Sequence, residues 1–181
     1  MKKLWDKKNF IFVLLAIYFS VFLIYAWYSH VNLKTSLFDL GLQEQVIWNT
    51  SEGRFFESSP EVENFLGDHF SLLFIPVALI YKIFPSTLTL FIIQCFAITL
   101  GILGFYKLAE YKIKDFKIRL LVLFGMLVYW PLSSALTFDF HEITLAFPFL
   151  AWGIYLIEIN KRGLLKFVLL FFAILAKEDV G

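Results

Sequence analysis

The chain has a single cysteine, Cys95, so it cannot close an internal disulfide or supply the paired thiolates of a zinc or redox site. Cys95 lies in an apolar run, where a packing role is expected. Charge is sparse and balanced, with 17% charged residues and a net charge of +1, and nothing in that balance points to a nucleic-acid partner. Several sequence signatures are missing: a Gly-rich phosphate loop, a Walker lysine, a Gly-x-Ser-x-Gly elbow, an internal repeat and a low-complexity tract. No small-x-small cleavage site follows the first apolar run, so that run is expected to be an uncleaved signal anchor.

Apolar residues fill the space. The chain is 60% hydrophobic and 20% aromatic, with a mean hydropathy of +0.75. Soluble domains are about 45–50% apolar, so the composition is that of an all-α integral membrane protein. Trp27, Tyr28, Tyr129 and Trp130 fall near expected helix ends, where interfacial aromatics anchor. A spanning helix needs about 20 mainly apolar residues. Phe10–Tyr28, Leu88–Tyr106 and Leu120–Phe138 meet that requirement. Ile143–Glu158 and Leu164–Ala176 are shorter, with Glu158 and Lys166 able to snorkel. Phe70–Phe84 contains Pro76, precedes Pro85, and fits a re-entrant or interfacial helix as well as a span.

Charge chooses between those two alternatives. If Phe70–Phe84 does not cross, every Lys and Arg except Lys34, Arg54, Lys82 and Lys177 falls on one side. If it crosses, the later loops flip and most basic residues lie outside. The positive-inside rule selects the first arrangement. The expectation is five spans in the plasma membrane with a cytoplasmic N-terminus. An outer segment over 30–84 carries an amphipathic helix at 37–49 and a re-entrant or juxtamembrane helix at 70–84. In the amphipathic helix, Ser36 caps while Phe38, Leu42 and Val46 share a face directed at the membrane surface. Asn49-Thr50-Ser51 also matches a glycosylation sequon, a short pattern that is common by chance. The chain stops abruptly in polar residues, which suggests a piece of a longer protein.

On this topology four clusters meet the outer face: Phe38-Asp39-Leu40-Gly41, Gly67-Asp68-His69-Phe70, Phe138-Asp139-Phe140-His141-Glu142 and Lys177-Glu178-Asp179. Ionisable groups at such depth are costly and mark functional sites. Each cluster also has a plain alternative. Asp39 and Asp68 can serve helix N-termini, Asp139 and Glu142 can be solvated loop acids, and His30 and His69 can sit at the interface. Asp-x-His-Glu lacks the paired ligands of a zinc motif. Carboxylates in a partly desolvated cleft can instead bind a divalent cation, Mg or Mn, through Asp68, Asp139, Glu142 and Glu178, or one of them can become a base.

These clusters resemble a family of bacterial and archaeal membrane proteins classed as a domain of unknown function. Its pattern, FDLG-x-x-x-Q-x-x-W-N, NFLGDHFS, FDFH and KED, is matched here by Phe38–Asn49, Asn64–Ser71, Phe138–His141 and Lys177–Asp179. Members of that family run well beyond Gly181. The layout in turn is similar to the GT-C membrane glycosyltransferases, an architectural analogy. That similarity implies a sugar donor linked to polyprenyl phosphate, with Asp39 as general base. The leaving phosphate would be met either by the metal or by His69, His141 and Lys177. A transporter or flippase of a lipid-linked or anionic solute would use the same acids, and an inverted repeat would mark it. A scaffold without chemistry would leave the clusters apart.

Overall fold

The computed structural model describes residues 2–59, 64–67, 69–160, 163–177 and 180, with side chains from residue 7 onward. Regular structure among them is helical, apart from one isolated antiparallel bridge between Glu57 and Asn64. The first helix, α1 (Lys2–Val31), runs unbroken because its apolar stretch holds neither Pro nor Gly. It ends in a Schellman turn, with Lys34 N–H bonded to Ser29 C=O (2.9 Å) and Leu33 N–H to His30 C=O (3.0 Å). Leu33 sits in the left-handed region at φ 57°, a place usually taken by glycine. This turn reverses the chain and delivers Ser36 and Asp39 to the helix end.

A single π-turn, Leu37–Gly41, leads into α2 (Leu42–Ser51). The wider turn moves Phe38 off the face of Leu42 and Val46. Leu42, Val46 and Ile47 are buried and Phe38 is exposed. The expected membrane-facing stripe is therefore an internal packing face. It meets α3 (Phe74–Ile83), and Glu44 ties the pair to the next helix by accepting from Tyr81 Oη (2.8 Å) and Thr87 Oγ1 (2.9 Å). The sequon is also unavailable, because Asn49 is buried and its Nδ2 donates to Glu57 C=O (2.9 Å).

The central helix is α4 (Thr87–Lys112), capped by Ser86. It packs against α1, α5 (Phe116–Leu127) and α7 (Ala146–Glu158). Glycines make the α4–α7 seam close. A Cβ on Gly101 would lie 2.1 Å from the Phe147 ring, and one on Gly104 would lie 3.0 Å from Ala151 Cβ. Small residues of this kind let membrane helices approach backbone to backbone. The expected span 120–138 is broken: α5 and α6 (Trp130–Thr137) meet at a 41° bend. Pro131, in the first turn of α6, cannot donate to the preceding turn and breaks the helix there. A 3₁₀ turn, Glu142–Leu145, precedes α7, and α8 (Leu165–Ile174) returns antiparallel to it, with Phe149 stacked on Phe172.

Two helices, Lys7–Val31 and Thr87–Lys112, are long and apolar enough to cross a membrane, and a third is present if the bent α5–α6 pair makes one crossing. Charge is sorted between the two ends of the bundle. At the basic end, Arg119 of α5 pairs with Glu110 of α4 (3.3 Å), and Lys112 of α4 pairs with Glu158 of α7. The opposite, acidic end holds the α1 exit, α2, the start of α4 and the α6–α7 connection. Both ends of α3 stay there: Leu73 N–H bonds to Leu175 C=O after α8 (3.2 Å), and Tyr81 reaches Glu44. Leu73 and Tyr81, near the two ends of α3, thus both make their contacts at this end of the bundle.

Candidate functional site

One contact at the acidic end joins a backbone N–H to a side chain from a distant segment. Ser36 N–H donates to Asp139 Oδ2 at 2.7 Å, while Ser36 Oγ caps the π-turn by accepting from Phe38 N–H (3.2 Å). The same residue thus fixes both the turn that carries Asp39 and the loop that carries Asp139. In that loop, Phe140 is fully buried and packs against Phe74 (6.3 Å between ring centres). Phe140 anchors the loop, and its neighbours Asp139 and His141 reach Ser36 and Asp39.

Asp39 Oδ1 lies 3.8 Å from His141 Nε2. The other ring nitrogen, Nδ1, lies 3.0 Å from the Asp139 carbonyl. A carbonyl only accepts, so this bond places the proton on Nδ1 and leaves Nε2 of the neutral ring bare toward Asp39. The imidazole is thereby oriented to take up or release a proton beside the Asp39 carboxylate. Asp139 is buried, and its carboxyl is held above the usual range, first by that burial and also by the charge of Asp39; the Ser36 N–H bond works in the opposite direction.

Glu142, three residues on, is only 1% exposed, and its Oε1 meets Lys177 Nζ at 3.1 Å. Lys177 leaves α8 at the same end, so the ion pair joins the α6–α7 connection to the last helix. His69 stands at the margin, its ring edge-on to Phe65, which stacks on Phe74, which faces Phe140. An aromatic chain thus connects His69 to the loop of His141. Asp68 and Glu178 fall outside the described residues. Among the described residues, no three of His, Cys, Asp and Glu gather closely enough to hold a metal ion. Asp139 Oδ2 is engaged by Ser36, and Glu142 Oε1 by Lys177.

Sequence reasoning missed one residue that organises this end. Gln94 of α4 is 1% exposed, and its Oε1 accepts from His141 N–H (2.8 Å) and Thr144 Oγ1 (3.3 Å). Its Nε2 donates to Ala135 C=O (3.1 Å) and lies 3.4 Å from Asp139 C=O. The amide therefore satisfies backbone groups freed where α6 ends and the His141 loop begins. The available signal was a lone amide inside an apolar span, where polar side chains are expensive. Gln45 and Asn49 of the FDLG segment have a comparable task. Gln45 Nε2 donates to Ser59 Oγ (2.7 Å) and Asn49 Nδ2 to Glu57 C=O, which holds down the loop after α2.

Apolar helices of this length, a polar cluster confined to one end and basic residues at the other define an integral membrane protein. The chain belongs to the DUF2079 family, described as predicted membrane proteins, whose model matches residues 29–181. No curated protein and no solved structure matches it.

Proposed function

We propose that the acidic end is the active face of a membrane glycosyltransferase of GT-C layout, taking a sugar from a lipid-phosphate donor. The observation that carries this reading is the meeting of Asp39, from the segment after the first span, with His141 and the buried Asp139, beside the Lys177–Glu142 pair. In this reading the acidic end faces away from the cytoplasm, as the charge sorting favours, and the N-terminus is cytoplasmic in the plasma membrane. The 3₁₀ turn and α7 together rise about 28 Å, close to the roughly 30 Å hydrocarbon core. That length supports a fourth crossing, with α8 as the returning fifth.

The acceptor hydroxyl attacks the anomeric carbon, and the bond from that carbon to the phosphate oxygen breaks. Asp39 takes the hydroxyl proton as the carbon gains oxocarbenium character. The lipid phosphate leaves with the electron pair, and the Lys177 ammonium, with the His69 and His141 side chains, is proposed to meet it. Asp68, Asp139, Glu142 and Glu178 remain the acids proposed to hold a divalent cation, Mg or Mn, which would supply further charge at the leaving phosphate.

The test is glycan and lipid-linked saccharide profiling by mass spectrometry in cells expressing the full-length protein, Asp39→Asn or His141→Gln. General-base removal costs about 10²–10⁴-fold, so the transferred species should vanish in Asp39→Asn while membrane insertion is unchanged. An identical saccharide profile in the variant removes Asp39 from the role. A second reading, transport of a lipid-linked or anionic solute, is favoured by one observation: the α5–α6 helix is interrupted, as transporter helices are. Uptake or flipping without a new glycosidic bond would select it.

A further inference from the structure

We infer that the basic end carries a binding site for one anionic phospholipid, separate from the acidic end and independent of its chemistry. A cleft of about 580 Å³ opens there between α1, α4 and α5. Its charged lining is Lys7, Lys8, Lys107 and Arg119 against the single carboxylate Glu110, so among the described residues four cations face one anion. Glu110 is shared, with Lys107 Nζ at 2.7 Å and Arg119 Nη1 at 3.3 Å. Asp115, the next acid along the chain, turns back to cap its own helix, accepting from Lys117 N–H at 2.7 Å. Arg119 keeps a buried Nε–H with no hydrogen-bond partner among the described residues. A buried guanidinium N–H without a partner is costly, and a phosphate oxygen would satisfy it.

The cleft continues into an apolar groove of about 290 Å³ along the α1–α4 seam, with Phe12 and Leu103 lining both. From Leu103 the groove reaches Phe96, about 10 Å along the helix axis. A cationic mouth at the membrane surface with an apolar slot leading toward the bilayer centre matches a phosphodiester headgroup with its acyl chain. Positive-inside sorting requires only charge on this side. It does not require the charges to line a concave mouth that opens into an apolar groove. Basic pockets between spanning helices are known acceptors for anionic headgroups.

Native mass spectrometry of the full chain in detergent, titrated with phosphatidylglycerol or phosphatidylcholine, tests this. Each charge near an anionic headgroup is worth roughly fivefold in affinity. The wild type should therefore favour phosphatidylglycerol by tenfold or more, and the double variant Lys7→Gln, Lys8→Gln should lose about 25-fold of its phosphatidylglycerol affinity. Both lysines are exposed at the start of α1, so folding is not at stake. Ala16→Trp, which fills the groove and leaves every charge in place, should weaken both lipids. Equal binding of the two lipids, a loss under threefold in the double variant, or displacement of phosphatidylglycerol by millimolar inorganic phosphate would each overturn the proposal.

Discussion

Replacing Gln94 with leucine tests how the acidic end is held together. Leucine nearly preserves volume, so the packing of α4 changes little and the loss is mostly polar. Two of the four contacts have good hydrogen-bond geometry, His141 N–H at 2.8 Å and Ala135 C=O at 3.1 Å; the others, at 3.3 and 3.4 Å, are weak. Hydrogen bonds inside membrane proteins average only about 0.6 kcal/mol, because the unfolded reference in lipid also finds partners. An orphaned buried N–H costs more, about 1–3 kcal/mol. Together these predict a destabilisation of about 2–4 kcal/mol for Gln94→Leu, measurable by SDS titration of the detergent-solubilised protein. The loop should also loosen, exposing His141, so its modification by diethylpyrocarbonate should accelerate. A stability change below about 0.5 kcal/mol with unaltered His141 labelling would refute the claim that this amide positions the loop.

Other perturbations address separate parts of the structure. Gly101→Ala should cost about 1–3 kcal/mol by overpacking against the rigid Phe147 ring, read from the same SDS titration. Lys177→Met leaves Glu142 buried with its charge uncompensated and should cost about 3–5 kcal/mol, much of it recovered by adding Glu142→Gln. Because burial raises the Asp139 carboxyl in the fold, the protonated form is favoured there. Its contribution to stability is present below the unfolded value and lost as pH rises through the higher folded value. Asp139→Asn should flatten that part of the pH profile, and an unchanged slope in melts across the acid range would contradict it.

The features legible in sequence were those set by solvent preference and local sterics. The unbroken α1, the cap at Ser36, and the crowding of most Lys and Arg into the gaps away from the acid clusters follow from hydropathy, side-chain capping and the cost of charge in lipid. The failures have local causes. The π-turn at 37–41 shifts the helix phase by less than a residue, invisible in a periodicity count, yet it redirects Phe38 to the surface and helps turn Leu42 and Val46 inward. Pro131 stands in the sequence, but whether a proline bends a span or is tolerated depends on the tertiary surroundings of the carbonyl four residues before it. The later end of α6 is equally a tertiary matter, since its Ala135 carbonyl is met by Gln94, a helix away.

Sequence alone therefore determined the medium, the polarity of the two ends and which residues are too costly to bury without a partner. It could not determine the partners. Ser36 and Asp139 lie more than a hundred residues apart, and their contact exists only because packing brings the ends of α1 and α6 to one level. The meeting of Asp39 with His141 likewise depends on helix packing, since a side chain a few ångströms long cannot choose its neighbour until the backbones carrying it have docked.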